Sequence, residues 1–237
     1  MSGFFNTLFF GIYPYIALSV LIVGTIVRYD REPYSWRAGS SQMLRRKQLV
    51  WGSILFHVGV LVVFLGHFFG LLTPIVIFET IGIGHEAKQI LAIVVGGIAG
   101  LVAIVGAAML IHRRLYDSRV RAASSPMDTF IICLLGFQLL LGLATIPVSL
   151  QHIEGEEMVN FMNWAQGIFT FRPDVATYVV GSSWIFKLHL FVGLTILLIF
   201  PFTRLVHMLS VPARYLWRPG YQIVRERNST NSRNPAE

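Results

Sequence analysis

Five stretches of this chain run for about 20 residues or more with almost no charge, the length a helix needs to cross a bilayer. They cover residues 3–27, 49–72, 89–111, 127–149 and 184–208. No water reaches the hydrocarbon core, so a spanning backbone must satisfy its own hydrogen bonds, and helices of this length do so. Only 13% of the 237 residues are charged, against roughly 25% in soluble domains. The fold expected is all-α: an integral membrane bundle of five transmembrane helices over residues 1–225. The polar segment 226–237, rich in Asn, Ser and Arg, reads as a disordered tail. Pro14 and Pro201 fall inside the first and last spans, where neighbouring helices can satisfy the carbonyls they free. The N-terminus has no basic n-region and no small-residue cleavage signature, so it reads as a retained span.

The charges between the spans alternate. All but three of the 19 lysines and arginines lie in the 28–47 loop, in the 113–121 loop or from Arg204 onward. The other two loops hold Lys88, Arg172 and Lys187, together with Glu79, Glu86, Glu154, Glu156, Glu157 and Asp174. The positive-inside rule then places the N-terminus outside and the C-terminus in the cytoplasm. The basic residues flank apolar spans and form no soluble patch, which argues against nucleic-acid binding. Cys133 is the single cysteine, so the chain offers no internal disulfide and no iron–sulfur site of its own.

Four histidines lie within two of the spans. His57 and His67 are in the second, His189 and His207 in the fifth. An ionisable side chain in hydrocarbon is costly and marks function by default. The two spans run in opposite directions, so matching depth pairs His67 with His189 near the outer face and His57 with His207 near the inner face. Four ligands spread across a membrane do not make a zinc site, which gathers three or four closely. One histidine from each helix on either face of a haem iron does fit, and filling both axial positions favours electron transfer over oxygen chemistry. The spacing is imperfect: ideal helical rise separates His57 from His67 by about 15 Å but His189 from His207 by about 27 Å. Tilt or a bend at Pro201 must absorb the difference. By rotation, 18 residues make five full turns and keep His189 and His207 on one face.

Gly52, Gly59 and Gly66 recur every seven residues along the second span, and Gly193 follows His189 by one turn. Clearance for a porphyrin and close helix packing explain them equally well. Lys88 opens the third span, where an interfacial lysine ordinarily snorkels to water. Arg45, Arg46, Arg113, Arg114 and Arg204 flank spans on the basic side and are candidate partners for haem propionates. His85, His112 and His152 sit at span edges and read as solvated, with His85 near enough to Lys88 in sequence to handle protons.

The stretches 12-IYPYIA-17, 28-RYD-30, 40-SSQML-44, 66-GHFFGLLTP-74, 86-EAKQ-89, 201-PFTRLVH-207 and 211-VP-212 closely resemble the gamma subunit family of respiratory nitrate reductase, a quinol-oxidising membrane cytochrome b. The likeness runs to about Arg227. It implies two b haems, an outer one on His67 and His189 and an inner one on His57 and His207. It also implies a quinol site at the outer haem, with Lys88 and Gly66 matching the family's lysine and glycine there. The partners implied are a cytoplasmic iron–sulfur subunit and a molybdenum catalytic subunit, with nitrate reduction in the latter. Relatives that serve sulfur-reducing or heterodisulfide-type reductases leave another terminal acceptor open. A transporter coupling protons through histidines is a further alternative, though no internal repeat favours it. A passive anchor that only docks an enzyme is another.

Overall fold

The computed structural model describes residues 2–36 and 44–210. The tail 226–237, most of 40-SSQML-44 and the pair 211-VP-212 lie outside these residues. Five helices are long and apolar enough to cross a membrane. They are α1 (Gly3–Arg31), α2 (Arg46–Leu72), α3 (His85–Tyr116), α4 (Pro126–Ser149) and, after the shorter α5 (Glu156–Phe169), α6 (Trp184–Ile199), which with the turn that follows it spans Trp184–Phe202. The chain is thus an all-α bundle built on five such helices.

Local chemistry sets several boundaries. The Ser125 hydroxyl accepts the Asp128 N–H (3.1 Å) and Pro126 occupies the first turn, which together start α4. Helix α3 begins four residues before the expected position and runs 32 residues, about 48 Å. The early start draws Lys88 and Gln89 into a buried first turn. In α1, Pro14 has no N–H to offer the carbonyl of Phe10 four residues back. The chain forms a π-turn at Leu8–Ile12, and the Trp164 indole of α5 donates to that carbonyl (2.8 Å).

The polar stretch between α4 and α6, one of the loops by hydropathy and charge, contains the amphipathic helix α5. Its Trp164, Ala165 and Ile168 join Phe10 and Ala17 of α1 and Leu194 of α6 in one apolar core. Burying that face is what holds a 14-residue helix that would be marginal alone.

Packing runs α2 on α3, α3 on α4, α4 on α6 and α6 on α1. The closest seam is α2 on α3. A Cβ at Gly59 would stand 2.6 Å from the Ala103 nitrogen and the Ala99 oxygen, and one at Gly106 would collide with the Phe56 backbone. A Cβ at Gly52 would meet Met109 at 3.1 Å. Gly52 and Gly59 are therefore helix-packing glycines, which settles for them the choice the sequence left open. Gly66 has nothing within 4 Å of its Cβ position.

The last span departs from a straight helix through residue 208. Helix α6 ends at Ile199, because Pro201 has no N–H to continue the ladder. The Leu197 carbonyl is taken instead by the Phe200 N–H. A 3₁₀ turn, Phe200–Phe202, leads to extended Thr203 and then a second 3₁₀ segment, Arg204–Ser210. The carbonyls exposed by the break are met by Arg28 of α1, whose Nη1 donates to Pro201 (2.6 Å) and Thr203 (2.8 Å). His207 thus rides on the second segment and not on α6, so counting helical turns between His189 and His207 does not apply.

Candidate functional site

Two imidazole pairs lie between α2 and the last span. The His67 and His189 rings are 6.1 Å apart, centre to centre, and the His57 and His207 rings 6.3 Å. Because α2 is unbroken, its two histidines sit about 15 Å apart along the axis, and both partners meet them at those depths. The break at Pro201 is where the longer count from His189 to His207 is absorbed. Helices α2 and α6 are not among the extensively packed pairs of the described residues; they face one another through these rings.

Three of the four rings are oriented the same way. Nδ1 of His57 donates to the Ser53 carbonyl (2.8 Å), Nδ1 of His67 to the Val63 carbonyl (2.8 Å) and Nδ1 of His207 to the Arg204 carbonyl. A carbonyl only accepts, so each Nδ1 carries the proton and each Nε2 keeps its lone pair. This is the arrangement metal-ligating histidines use. His189 differs: its Nδ1 is buried without a hydrogen-bond partner.

A metal–imidazole bond is about 2 Å; two of them end to end, extended to the ring centres, give about 6 Å. Both pairs have that separation. Among the described residues no group of three or more His, Cys, Asp or Glu gathers as a metal cage. Two facing imidazoles per site would suit a metal whose other ligands come with it, as in a macrocycle.

Lys88 lies at the end of the bundle carrying the His67–His189 pair. It is 4% exposed, which excludes simple snorkelling. Its Nζ donates to the Gly70 carbonyl (2.7 Å) and to the Met162 sulfur of α5 (2.8 Å), and stands 4.0 Å from the centre of the Phe78 ring. Gly70 is one turn along α2 from the exposed Gly66, which adjoins His67. A buried ammonium in apolar walls beside an open glycine can orient a polar oxygen on an otherwise apolar ring. Met162 and Phe78 escaped the sequence reading, since methionine and phenylalanine in membrane-flanking segments carry no distinctive signal. Gly84, which precedes the helix as its N-cap, is the one local signal that α3 starts ahead of Lys88.

At the opposite end four of the five candidate arginines have partners. Arg45 pairs with Asp117 (2.8 Å), while Arg114 and Arg204 flank Asp128 at 3.7 and 3.8 Å. Arg113 donates to the Leu44 carbonyl (2.7 Å). The Val120 and Arg119 N–H groups and the Arg45 guanidinium hold the Asp117 carboxyl below the usual carboxylate range. His85 bonds to Glu79 (3.1 Å), His112 to Gln48 (3.2 Å) and His152 to the Val148 carbonyl (3.2 Å), all at exposed positions.

Residues 6–227 match the family described as nitrate reductase gamma subunit. The chain belongs to that family. It is 47% identical over 225 residues to the respiratory nitrate reductase 1 gamma chain of Escherichia coli (strain K12), covering 95% of this chain and 99% of that one. It is also 47% identical to the respiratory nitrate reductase 2 gamma chain of the same organism, over 96% of this chain and 100% of the relative. The nitrate reductase gamma chain of Bacillus subtilis (strain 168) is 38% identical over 96% and 100% of the two chains. As a nitrate reductase gamma-type chain it is an oxidoreductase subunit, and its spans and bacterial relatives make it a protein of the inner membrane.

Proposed function

We propose that this gamma-type subunit is a dihaem, quinol-oxidising cytochrome b that delivers electrons across the membrane to a cytoplasmic nitrate reductase. The observation that carries the proposal is the pair of ring separations, 6.1 and 6.3 Å, with Nδ1 protonated on three of the four rings. His67 and His189 hold one b haem and His57 and His207 the other. When bound, the two haems supply a one-electron path between the two ends of the bundle.

The basic end faces the cytoplasm by the positive-inside rule, which puts the N-terminus outside. Lys88, Gly66 and His67 are then at the outer face. Gly66 leaves room for a quinol ring, and Lys88 directs a proton at a ring oxygen. Oxidation of one quinol to quinone yields two electrons and two protons, and the protons leave on the outer side. Electrons moving inward then charge the membrane, against a load of about 2.3 kcal/mol per charge per 100 mV. The cytoplasmic face, with the loop at 113–121, docks an iron–sulfur subunit, and a molybdenum subunit beyond it reduces nitrate.

The purified complex provides the test. Two b haems per gamma-type chain, both reduced by quinol, are expected. A chain with no b-type absorbance, or with one haem, would overturn the reading.

A further inference from the structure

His189 is the one ring of the four whose Nδ1 makes no hydrogen bond, although the main-chain carbonyl of Gln138 on α4 also approaches the ring. Beside it, Gln138 of α4 donates from Nε2 to the His189 main-chain carbonyl (3.0 Å). That bond fixes the amide, because the reverse orientation would set two acceptors against each other. The Gln138 Oε1 is then buried with no donor. A buried donor and a buried acceptor, each unmatched, thus belong to two residues already joined by a hydrogen bond. Burying both without a partner is unfavourable. Two glycines make the approach possible. A Cβ at Gly193 would stand 3.1 Å from the Gln138 Nε2, and a Cβ at Gly142, one turn beyond Gln138, would stand 3.1 Å from the His189 Cε1.

We infer that Gln138 is the positioning residue for His189, its Oε1 accepting the Nδ1–H directly or through one water. The inference rests on the haem ligation proposed above. The other three histidines take their acceptor from their own turn of chain. His189 takes its acceptor from a neighbouring helix, so the basicity of this one ligand is set by a replaceable side chain. An acceptor on Nδ1–H makes the imidazole a stronger donor to the iron and favours the ferric form.

Potentiometric titration of both haems in membranes bearing the intact complex tests this, with haem content measured alongside. Gln138→Leu removes the acceptor, and the haem on His67 and His189 should become easier to reduce. The expected change is up to about tenfold in its reduced-to-oxidised ratio, about 59 mV for one electron. The other haem should not move. Gln138→Met, equally long and unbranched, should shift it the same way if leucine disturbs packing. Gln138→Glu, which keeps an acceptor, should hold it at or below the unsubstituted value. Both haems retained with neither potential changed in the leucine and methionine variants would overturn the role of the Gln138 side chain and leave its main-chain carbonyl as the acceptor. Absence of that haem from the unsubstituted protein would instead overturn the ligation itself.

Discussion

The Arg28 guanidinium reaches across 175 positions of sequence to donate a 2.8 Å hydrogen bond to the Thr203 carbonyl. Its neighbouring bond to Pro201 makes it a clamp on the break that carries His207. Arg28→Leu strips these two charge-assisted bonds, each worth about 1.5–3 kcal/mol, together with two more to Ser35. Thermal denaturation should show the loss. Haem on the His57–His207 side should fall before the other, and equal loss of both would sink the clamp.

His57→Ala and His207→Ala should each leave one haem per chain. The remaining haem should still be reduced by quinol while delivery to the partner subunit stops. Haem counting and quinol-driven reduction decide this. Retention of the haem on that side would show that the pairing is wrong.

Lys88→Ala should weaken the binding of quinol analogues by at least tenfold with both haems kept, since the ammonium is buried against Gly70 and Met162. Met162→Leu keeps the volume and should give a smaller loss through a less fixed lysine. Unchanged affinity in Lys88→Ala removes it from the site.

Two glycines seven residues apart should behave oppositely. Gly59→Ala drives a Cβ to 2.6 Å from backbone atoms of α3, so it should cost about 1–3 kcal/mol and reduce assembled complex. Gly66→Ala meets nothing within 4 Å and should assemble normally, with any defect confined to quinol binding. Assembly yield and analogue titration separate the two.

Trp164→Phe leaves the Phe10 carbonyl without its donor. A cost of about 1–3 kcal/mol follows, and limited proteolysis should find α5 detached more often.

The span count and which histidines face each other are legible because charge-free length and the antiparallel course of successive spans are simple physical quantities. His57 and His67 share a regular helix, so ring depth follows from rise alone. What stayed hidden depended on partners distant in sequence. Arg28 looks like any flanking cation until the Pro201 break exposes two carbonyls to it. Helix α5 is short and mixed in polarity, and only its contact with Phe10, Ala17 and Leu194 makes it a helix worth forming. Lys88 was placed at an interface because α3 was expected to begin at residue 89, beyond it. Gln138 carries no signal of its own, since a glutamine in a span reads only as a polar residue needing a partner.

The break in the α-helix at Phe200–Thr203 also separates two kinds of tolerance to insertion. One residue added between His57 and His67 would swing one imidazole by about 100° around α2 and ruin its aim. One residue added near Pro201 would fall in chain that already lacks a helical register, leaving His189 untouched and His207 only displaced. Lineages of this subunit should therefore vary in length at the proline and never between the two histidines of α2.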